Sequence, residues 1–215
     1  KDLSEIKCLE NRLEEVGDLA SIGEMTASIA HEIRNPLNGI KGFAALLENG
    51  FNETDPRKKF VGHIVRGVEN LNSMVTDLLV LAKPIKPNLK EYDIGELLAE
   101  VISFARQDLN NTNNRANIKI DFDRKSVLLN GDRYLLYQVF FNLIKNSFQA
   151  IPDAGRIFVD INPMLNGERG NGKVEISISD NGVGISKDVQ SKIFEPFFTT
   201  KSGGTGLGLS LVQKI

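Results

Sequence analysis

The residues best suited to chemistry lie in segment 28–37, which reads Ser-Ile-Ala-His-Glu-Ile-Arg-Asn-Pro-Leu. Apolar residues recur here in alternating steps of four and three, a pattern typical of a helix with one buried stripe. His31 is two residues from the nearest stripe positions, about 200° around a helix from them, so its imidazole is predicted to face away from the stripe. The predicted stripe comprises Ile22, Thr26, Ile29, Ile33, Pro36, Ile40, Phe43 and Leu47.

Two polar neighbours make this imidazole a candidate reactive group. Asn35 follows one helical turn later and shares the face of His31, while Glu32 is its immediate neighbour. A surface histidine without a role is the alternative. Pro36 favours function, because a proline inside a helix removes a backbone hydrogen bond, here to the Glu32 carbonyl, at a cost of about 3 kcal/mol. A kink beside His31 is therefore predicted.

Composition narrows the possible classes of protein. The chain has 215 residues, 41% hydrophobic and 25% charged, which is ordinary for one or two globular domains. A net charge of −2 contains no polybasic signal, so no nucleic-acid partner is expected. A single cysteine excludes an intrachain disulfide. Without a long apolar run or signal peptide, a cytoplasmic location is expected, although a membrane segment before Lys1 would not be visible.

The first part of the chain is predicted to be a helical hairpin. Residues 1–20 resemble either a short coiled-coil lead-in or an irregular amphipathic helix. The first long helix should end at residues 49–50, Asn-Gly. Thr54 or Asp55 should cap the second helix, with Pro56 at its first position.

The second helix has its own apolar stripe, and His63 on this helix has no motif around it. A hairpin with one stripe per helix cannot bury both alone, so residues 21–83 are predicted to form a homodimer, a four-helix bundle. The stripe comprises Ile64, Val68, Leu71, Val75, Leu78 and Ala82.

A domain boundary is predicted at residues 84–88, where Pro84 and Pro87 break the helical pattern and form a hinge. Residues 89–215 mix helices and strands joined by turns, which predicts an α/β sandwich rather than a doubly wound parallel sheet. The predicted elements are a helix capped by Asp93, strands at 117–122 and 127–129, a helix capped by Asp132, and strands at 157–161 and 174–178.

Two patches of this second domain suit a nucleotide. Asn142 and Asn146 share a helix face beside Lys145, and their neutral amide oxygens suit Mg²⁺, although a polar outer helix face is the alternative. Segment 180–184, Asp-Asn-Gly-Val-Gly, follows a strand. Its glycines permit close backbone approach to a flat ligand, and Asp180 could accept from an amino group such as that of adenine; a simple turn is the alternative.

Two further patches follow. Segment 193–201 places three phenylalanines before Lys201. The segment is either part of the core or a lid latch whose lysine reaches phosphate. Segment 203–209, Gly-Gly-Thr-Gly-Leu-Gly-Leu, leads into a helix start and could hold phosphate oxygens. The segment is neither a Walker A loop nor a dinucleotide fingerprint.

Segment 31–37 resembles the phosphoacceptor box of sensor histidine kinases, and the order of the four patches resembles the N, G1, F and G2 boxes of their ATP-binding domain. The resemblance covers about residues 20–215. It implies a two-component sensor histidine kinase of α plus α/β class, with a HisKA-type hairpin in a four-helix bundle followed by a Bergerat-type ATP-binding sandwich of the GHKL superfamily.

The resemblance also implies roles. His31 would be the phosphoacceptor, Glu32 the base or the group that orients the ring, and Asn35 the residue that positions water for phosphatase activity. The implied partners are a second copy, an upstream sensor domain and the receiver domain of a response regulator. A bend at Pro36 would then distinguish kinase and phosphatase states.

The implied cofactors are ATP and Mg²⁺. Asn146 would bind the metal, Asn142 and Lys145 would lie beside the phosphates, and Asp180 would read adenine. The other implied pocket residues are Gly182, Gly184, Lys201, Gly204, Thr205, Gly206, Leu207 and Gly208.

The chain departs from the family pattern at Ser147, where alanine is usual, and at Ile215, where the pattern would continue, so a truncated ATP-binding domain is expected. The alternatives are an ATP-binding scaffold without phosphotransfer and a gyrase-like or chaperone-like ATPase. The stimulus, the cognate regulator and transfer within or between subunits stay open.

Overall fold

The structure is a computed structural model that divides into two compact units, Lys1–Ile85 and Lys86–Ile215. The boundary falls within residues 84–88, whose role as a hinge stays a prediction. The lead-in at 1–20 and the Thr54 cap lie outside the described residues. Among the helices that are described, none has an apolar stretch long enough to cross a membrane. The described residues are 30–52, 55–113, 117–164, 173–201 and 204–215.

The first unit is the predicted helical hairpin. Helix α1 is described over residues 30–49 and continues through Pro36, and α2 spans Arg57–Ala82. The backbone N–H of Arg57 donates to Oδ1 of Asp55 at 2.8 Å, as expected of the residue that caps a helix. Pro56 has helical dihedral angles, φ −63° and ψ −20°, as expected of a first-turn proline.

The buried face of α1 is not the predicted stripe. Ala30, Leu37 and Ala44 are 2–8% exposed, whereas Phe43, a predicted stripe residue, is 72% exposed. The prediction of the inner face was therefore wrong for the single chain. Small alanine side chains allow the two helices to pack closely, and the larger apolar side chains are left outside.

We name these outside residues the outer apolar residues. On α2 the predicted stripe is divided, because Val68 and Ala82 are buried while two of its members are exposed. Exposed apolar side chains at helical spacing indicate a surface that is normally covered. The outer apolar residues are Ile33, Ile40, Phe43, Leu46, Leu47, Phe60, Ile64 and Leu71.

The second unit is an α/β domain, so the predicted fold class is confirmed. Strands β1 and β3 form an antiparallel pair, and the other sheet has the order β2-β4-β5, with β2 parallel and β5 antiparallel to β4. The elements in order are β1 (Lys90–Asp93), α3 (Ile94–Asn113), β2 (Ile118–Phe122), β3 (Leu128–Gly131), α4 (Arg133–Ala150), β4 (Gly155–Met164), β5 (Lys173–Asp180) and α5 (Gly208–Lys214).

One core holds this unit together. Ile157, Val159 and Ile161 alternate inward along β4 at 0–2% exposure, while Phe158 between them is 45% exposed. The helices α3 and α4 contribute most of the remaining apolar side chains. The core comprises Ile94, Leu97, Leu98, Val101, Ile102, Ala105, Ile118, Ile120, Phe140, Ile144, Phe148, Ile151, Ile157, Val159 and Ile161.

The strands differ from prediction in their bounds, and β1 is an additional strand. β1 was not predicted, because its short, charged sequence has no apolar alternation. β3 lies at Leu128–Gly131 rather than 127–129. β4 continues to Met164 through Pro163, which is tolerated because β2 pairs only as far as Val159, and no other described strand lies along that edge of β4.

Asp132 caps α4, as predicted. Its Oδ1 accepts from the backbone N–H groups of Tyr134 and Leu135 at 3.0 and 3.1 Å, and its Oδ2 accepts from that of Asn88 at 2.8 Å. These backbone donors, that of Asn88 foremost, hold the pKa of Asp132 below its ordinary value. The same carboxylate therefore starts α4 and fixes the chain just after the unit boundary.

We predict that Asp132→Ala lowers the free energy of unfolding by about 1 kcal/mol at neutral pH, since a capping acceptor is lost. Because the folded pKa is depressed, this contribution is present above the unfolded pKa of about 3.9 and is lost as the pH falls through the folded value. Urea unfolding followed by circular dichroism should thus show a difference from wild type that narrows below about pH 4. Asp153→Ala, in an exposed turn, is the control; equal effects of the two variants would contradict the assignment.

Candidate functional site

His31 lies on the exposed side of α1. Its neighbour Ala30 is 2% exposed and faces the hairpin interior, as does Leu37 seven residues later, whereas His31, Glu32 and Asn35 are all exposed. The imidazole is therefore accessible, as predicted, although the buried face of α1 is not the stripe from which its orientation was derived. The solvent-facing side of α1 presents a ring, a carboxylate and an amide within one turn.

Asn35 contacts the ring of His31. The side-chain Nδ2 of Asn35 is 3.4 Å from Nδ1 of His31. With Nδ2 toward the ring, Asn35 donates to Nδ1 and the ring proton lies on Nε2. If the amide is turned so that its oxygen faces the ring, the oxygen accepts a hydrogen bond from Nδ1–H, and Nε2 then keeps its lone pair. Asn35 is thus placed to select the ring tautomer, a role that the resemblance assigned to Glu32.

A second contact joins this segment to α2. Arg34 donates from Nη2 to Oγ1 of Thr76 at 2.9 Å, and the same hydroxyl donates to the carbonyl of Asn72 at 2.9 Å. The contact fixes α1 against α2 within the histidine segment. The sequence did not single out Arg34, because its partner Thr76 lies 42 residues further along the chain.

The second group of predicted residues lies around the last two turns of α4. Asn142 and Asn146 occur there on one face, as predicted. Lys145 is on an adjacent face, where its ammonium lies 5.9 Å from the ring centroid of Phe141. The structure thus places Lys145 beside an aromatic ring, while Asn146 is contacted by a different lysine.

The turn after β5 packs on the end of α4. Oδ1 of Asp180 accepts from the backbone N–H of Gly182 at 2.9 Å, and the N–H of Val183 donates to the carbonyl of Ala150 at 3.0 Å. A Cβ on Gly182 would lie 2.5 Å from that carbonyl oxygen. Close approach therefore requires glycine here, and Gly184 adds a positive φ of +71°.

The phenylalanine and glycine-rich segments are joined to each other. The N–H of Phe197 donates to the carbonyl of Gly206 at 3.0 Å, and both residues have left-handed backbone conformations, with φ of +66° and +69°. A Cβ on Gly206 would overlap the backbone of Phe197. A left-handed phenylalanine is strained, and such strain is concentrated at functional segments.

The glycine-rich segment also meets α4. A Cβ on Gly208, the first residue of α5, would lie 3.0 Å from Oδ1 of Asn142. Leu207 is 1% exposed, and its N–H donates to Oγ1 of Thr205 at 3.3 Å. Its side chain therefore belongs to the interior, and only its backbone is near the segment surface.

Lys201 completes the group. Its Nζ donates to Oδ1 of Asn146 at 3.0 Å and to Oε1 of Gln149 at 2.7 Å. Gln149 was not predicted, although its position three residues after Asn146 on the same helix was the available signal. The backbone of Lys201 is held by Thr199, whose Oγ1 accepts its N–H at 3.1 Å, and by the N–H of Gly204, which donates to its carbonyl at 3.1 Å.

The donor set suits a Mg²⁺ ion carried by a nucleotide. In the described part of the chain, no group of three or more His, Cys, Asp or Glu side chains could hold a metal. Mg²⁺ keeps several waters and phosphate ligands and needs few protein ligands. Oδ1 of Asn146 already accepts from the ammonium of Lys201, so it is an oxygen of the kind that could hold a nucleotide-borne cation.

Comparison with known proteins assigns both units to families. Residues 21–86 match the family described as "His Kinase A (phospho-acceptor) domain". Residues 131–215 match "Histidine kinase-, DNA gyrase B-, and HSP90-like ATPase".

Two relatives that match the whole chain are kinases by name. The chain is 36% identical over its whole length to sporulation kinase E of Bacillus subtilis, covering 28% of that protein. It is 33% identical over its whole length to the signal transduction histidine-protein kinase AtoS of Escherichia coli, covering 34% of that protein. The chain thus spans about a third of the length of these relatives.

Solved structures are similar too. The crystal structure of full-length ShkA in complex with AMPPNP matches 89% of this chain and 40% of ShkA, with a TM-score of 0.68 and 29% identity. Histidine kinase ThkA in complex with response regulator protein TrrA matches all of this chain and 59% of ThkA, with a TM-score of 0.58 and 29% identity. With a phosphoacceptor hairpin, an ATPase domain and these relatives, the chain belongs to the sensor histidine kinases of two-component systems.

Proposed function

We propose that this chain uses ATP to phosphorylate His31 and passes the phosphoryl group to an aspartate of a response regulator, with phosphatase activity toward the same regulator. One observation supports the nucleotide part above all. Three segments distant in sequence converge on the last turns of α4: the turn at 180–184, Lys201, and the start of α5. Such convergence on the asparagine face is what a nucleotide site requires.

We assign the parts of the nucleotide as follows. Oδ1 of Asp180 is already used by Gly182, so Oδ2 is the proposed acceptor for the adenine amino group. Asn142 and Lys201 lie where the phosphates would be bound, and Asn146 would hold Mg²⁺. When bound, ATP would supply the transferable phosphoryl group, and Mg²⁺ would neutralise part of its charge.

His31 is the proposed nucleophile. In the neutral imidazole one ring nitrogen carries a lone pair that can attack phosphorus. With its amide turned so that the oxygen faces Nδ1, Asn35 would accept a hydrogen bond from Nδ1–H, so that Nε2 presents its lone pair to the terminal phosphorus. Glu32 is the proposed acceptor for the ring proton, and Asn35 also positions the water of the phosphatase reaction.

Transfer requires the terminal phosphate to reach His31, and later the aspartate of the partner. We propose that residues 84–88 are the hinge for these movements, since Pro84 and Pro87 prevent continuation of α2. A receiver domain as partner is supported by the relative ThkA, whose structure is a complex with a response regulator protein.

The same hairpin is the proposed dimer interface. The outer apolar residues include Phe43 at 72% and Phe60 at 66% exposure, a costly arrangement in water for one chain alone. A second copy would cover them by completing a four-helix bundle through residues 21–83. An upstream sensor domain, joined through residues 1–20, is the proposed source of the signal.

The first experiment is labelling. With γ-labelled ATP and Mg²⁺, we predict an acid-labile, alkali-stable label on the wild-type chain that is absent from His31→Gln, because the acceptor nitrogen is gone. The chain has two histidines, so His63→Gln is a matched control that should keep the label. Nucleotide binding without label in wild type would instead indicate an ATP-binding scaffold.

The second experiment concerns dimerisation. We predict that Phe43→Asp raises the dimer dissociation constant by about two orders of magnitude, since an unpaired carboxylate would have to leave water. Phe158→Asp, which alters an exposed phenylalanine of the second unit, should leave the dimer intact. Sedimentation equilibrium measures both, and a dimeric Phe43→Asp variant would refute this interface.

The third experiment concerns the proline. Pro36→Ala restores a backbone donor to the Glu32 carbonyl and should stabilise α1 by up to about 3 kcal/mol. We predict a changed ratio of autophosphorylation to phosphatase activity, measured with a receiver domain that the wild type phosphorylates. Pro56→Ala, at a first-turn position, should not change the ratio. An unaltered ratio in Pro36→Ala would exclude the bend as a switch.

A further inference from the structure

Lys201 places a cation on the oxygen that is assigned to Mg²⁺. Its ammonium is 3.0 Å from Oδ1 of Asn146 and 2.7 Å from Oε1 of Gln149. Mg²⁺ would approach the same oxygen to about 2.1 Å and bring two positive charges. An ammonium in hydrogen-bond contact with that oxygen would be repelled by the metal.

We propose that Lys201 and Mg²⁺ compete for Oδ1 of Asn146, and that Gln149 is the positioning residue that keeps Lys201 beside the phosphates once the metal occupies Asn146. The inference rests on the nucleotide-binding part of the proposed function. It assigns a role to Gln149, which neither the motifs nor the comparisons identify.

The geometry permits this exchange with little movement of the chain. The backbone of Lys201 is fixed through Oγ1 of Thr199 and the N–H of Gly204, so rotation of its side chain is sufficient. Gln149 lies less than one turn from Asn146 on the rigid helix α4. Its amide oxygen therefore stays within reach of the ammonium after Asn146 is lost as a partner.

The two side chains consequently act in opposite directions. Lys201 occupies the metal's ligand, so its presence raises the Mg²⁺ concentration needed to tighten nucleotide binding. Gln149 already accepts from Lys201 and becomes the partner that the ammonium keeps, no longer shared with Asn146, once the metal is bound, so its presence lowers that concentration. A purely local charge effect of Lys201 would produce the first dependence without the second.

The test measures ADP binding to the 215-residue chain by titration calorimetry over a series of Mg²⁺ concentrations. We expect Lys201→Met to lower the half-saturating Mg²⁺ concentration about three- to tenfold, the size of one lost charge-assisted hydrogen bond. Gln149→Leu should raise it about threefold. Lys192→Met, which removes an exposed charge elsewhere in the second unit, should leave it unchanged.

The double variant decides the mechanism. If Gln149 acts through Lys201, the combination of Gln149→Leu and Lys201→Met should behave like Lys201→Met alone. Provided that ADP still binds, any of three results would overturn the proposal. These are an additive shift of the half-saturating Mg²⁺ concentration in the double variant, a wild-type value of that concentration in Gln149→Leu, and no decrease of it in Lys201→Met. Failure of wild type to bind ADP would instead overturn the nucleotide-binding function, and this inference with it.

Discussion

Two segments approach α4 closely, and at Gly182 the backbone contact leaves no room for a side chain. Gly182 packs on the carbonyl of Ala150, and Gly208 packs on the amide of Asn142. These contacts bring the turn after β5 and the start of α5 to the two ends of the asparagine face. A Cβ at Gly182 would force the turn and the end of α4 apart, and so move the carboxylate of Asp180 relative to α4.

The position of α4 itself is set by ordinary packing and capping. Ile144 and Phe148 are at most 1% exposed, and Asp132 supplies the acceptors for the first turn. The polar residues of the candidate site thus lie on the outer side of a helix whose inner side is buried in the core. A rigid helix with one free face is well suited to hold ligands at fixed spacing.

The fold predictions that succeeded concern features that are set by residues close together in the sequence. The caps Asp93 and Asp132 act on backbone groups two or three residues away, so short patterns identify them. β1 depends on pairing Lys90 with Gly131, a contact between distant residues that no local pattern encodes. On α1 the helical period was correct, but the face buried within the single chain was not the predicted stripe, because alanines such as Ala30 contribute little to a hydrophobic pattern.

The same distinction applies to the candidate site. The types of residue that suit a nucleotide could be predicted, since glycines, asparagines and Asp180 stand in recognisable order. The contact of Lys201 with Asn146 and Gln149 could not, because it joins residues 55 and 52 apart in sequence. The burial of Leu207 was equally hidden, since an apolar residue between glycines has no periodic neighbours that indicate its side.

The core is far more deeply buried than the candidate site. The residues of α3 and α4 that face the sheet are almost fully buried, whereas most residues from 181 to 201 are exposed. This segment contains the strained backbone of Phe197 and is joined to α4 mainly by hydrogen bonds. Exposed hydrogen bonds exchange partners at low cost, while buried packing does not. Nucleotide binding can therefore rearrange contacts at Asn146 and leave the core unchanged, which is the property that a competition between Lys201 and a metal ion requires.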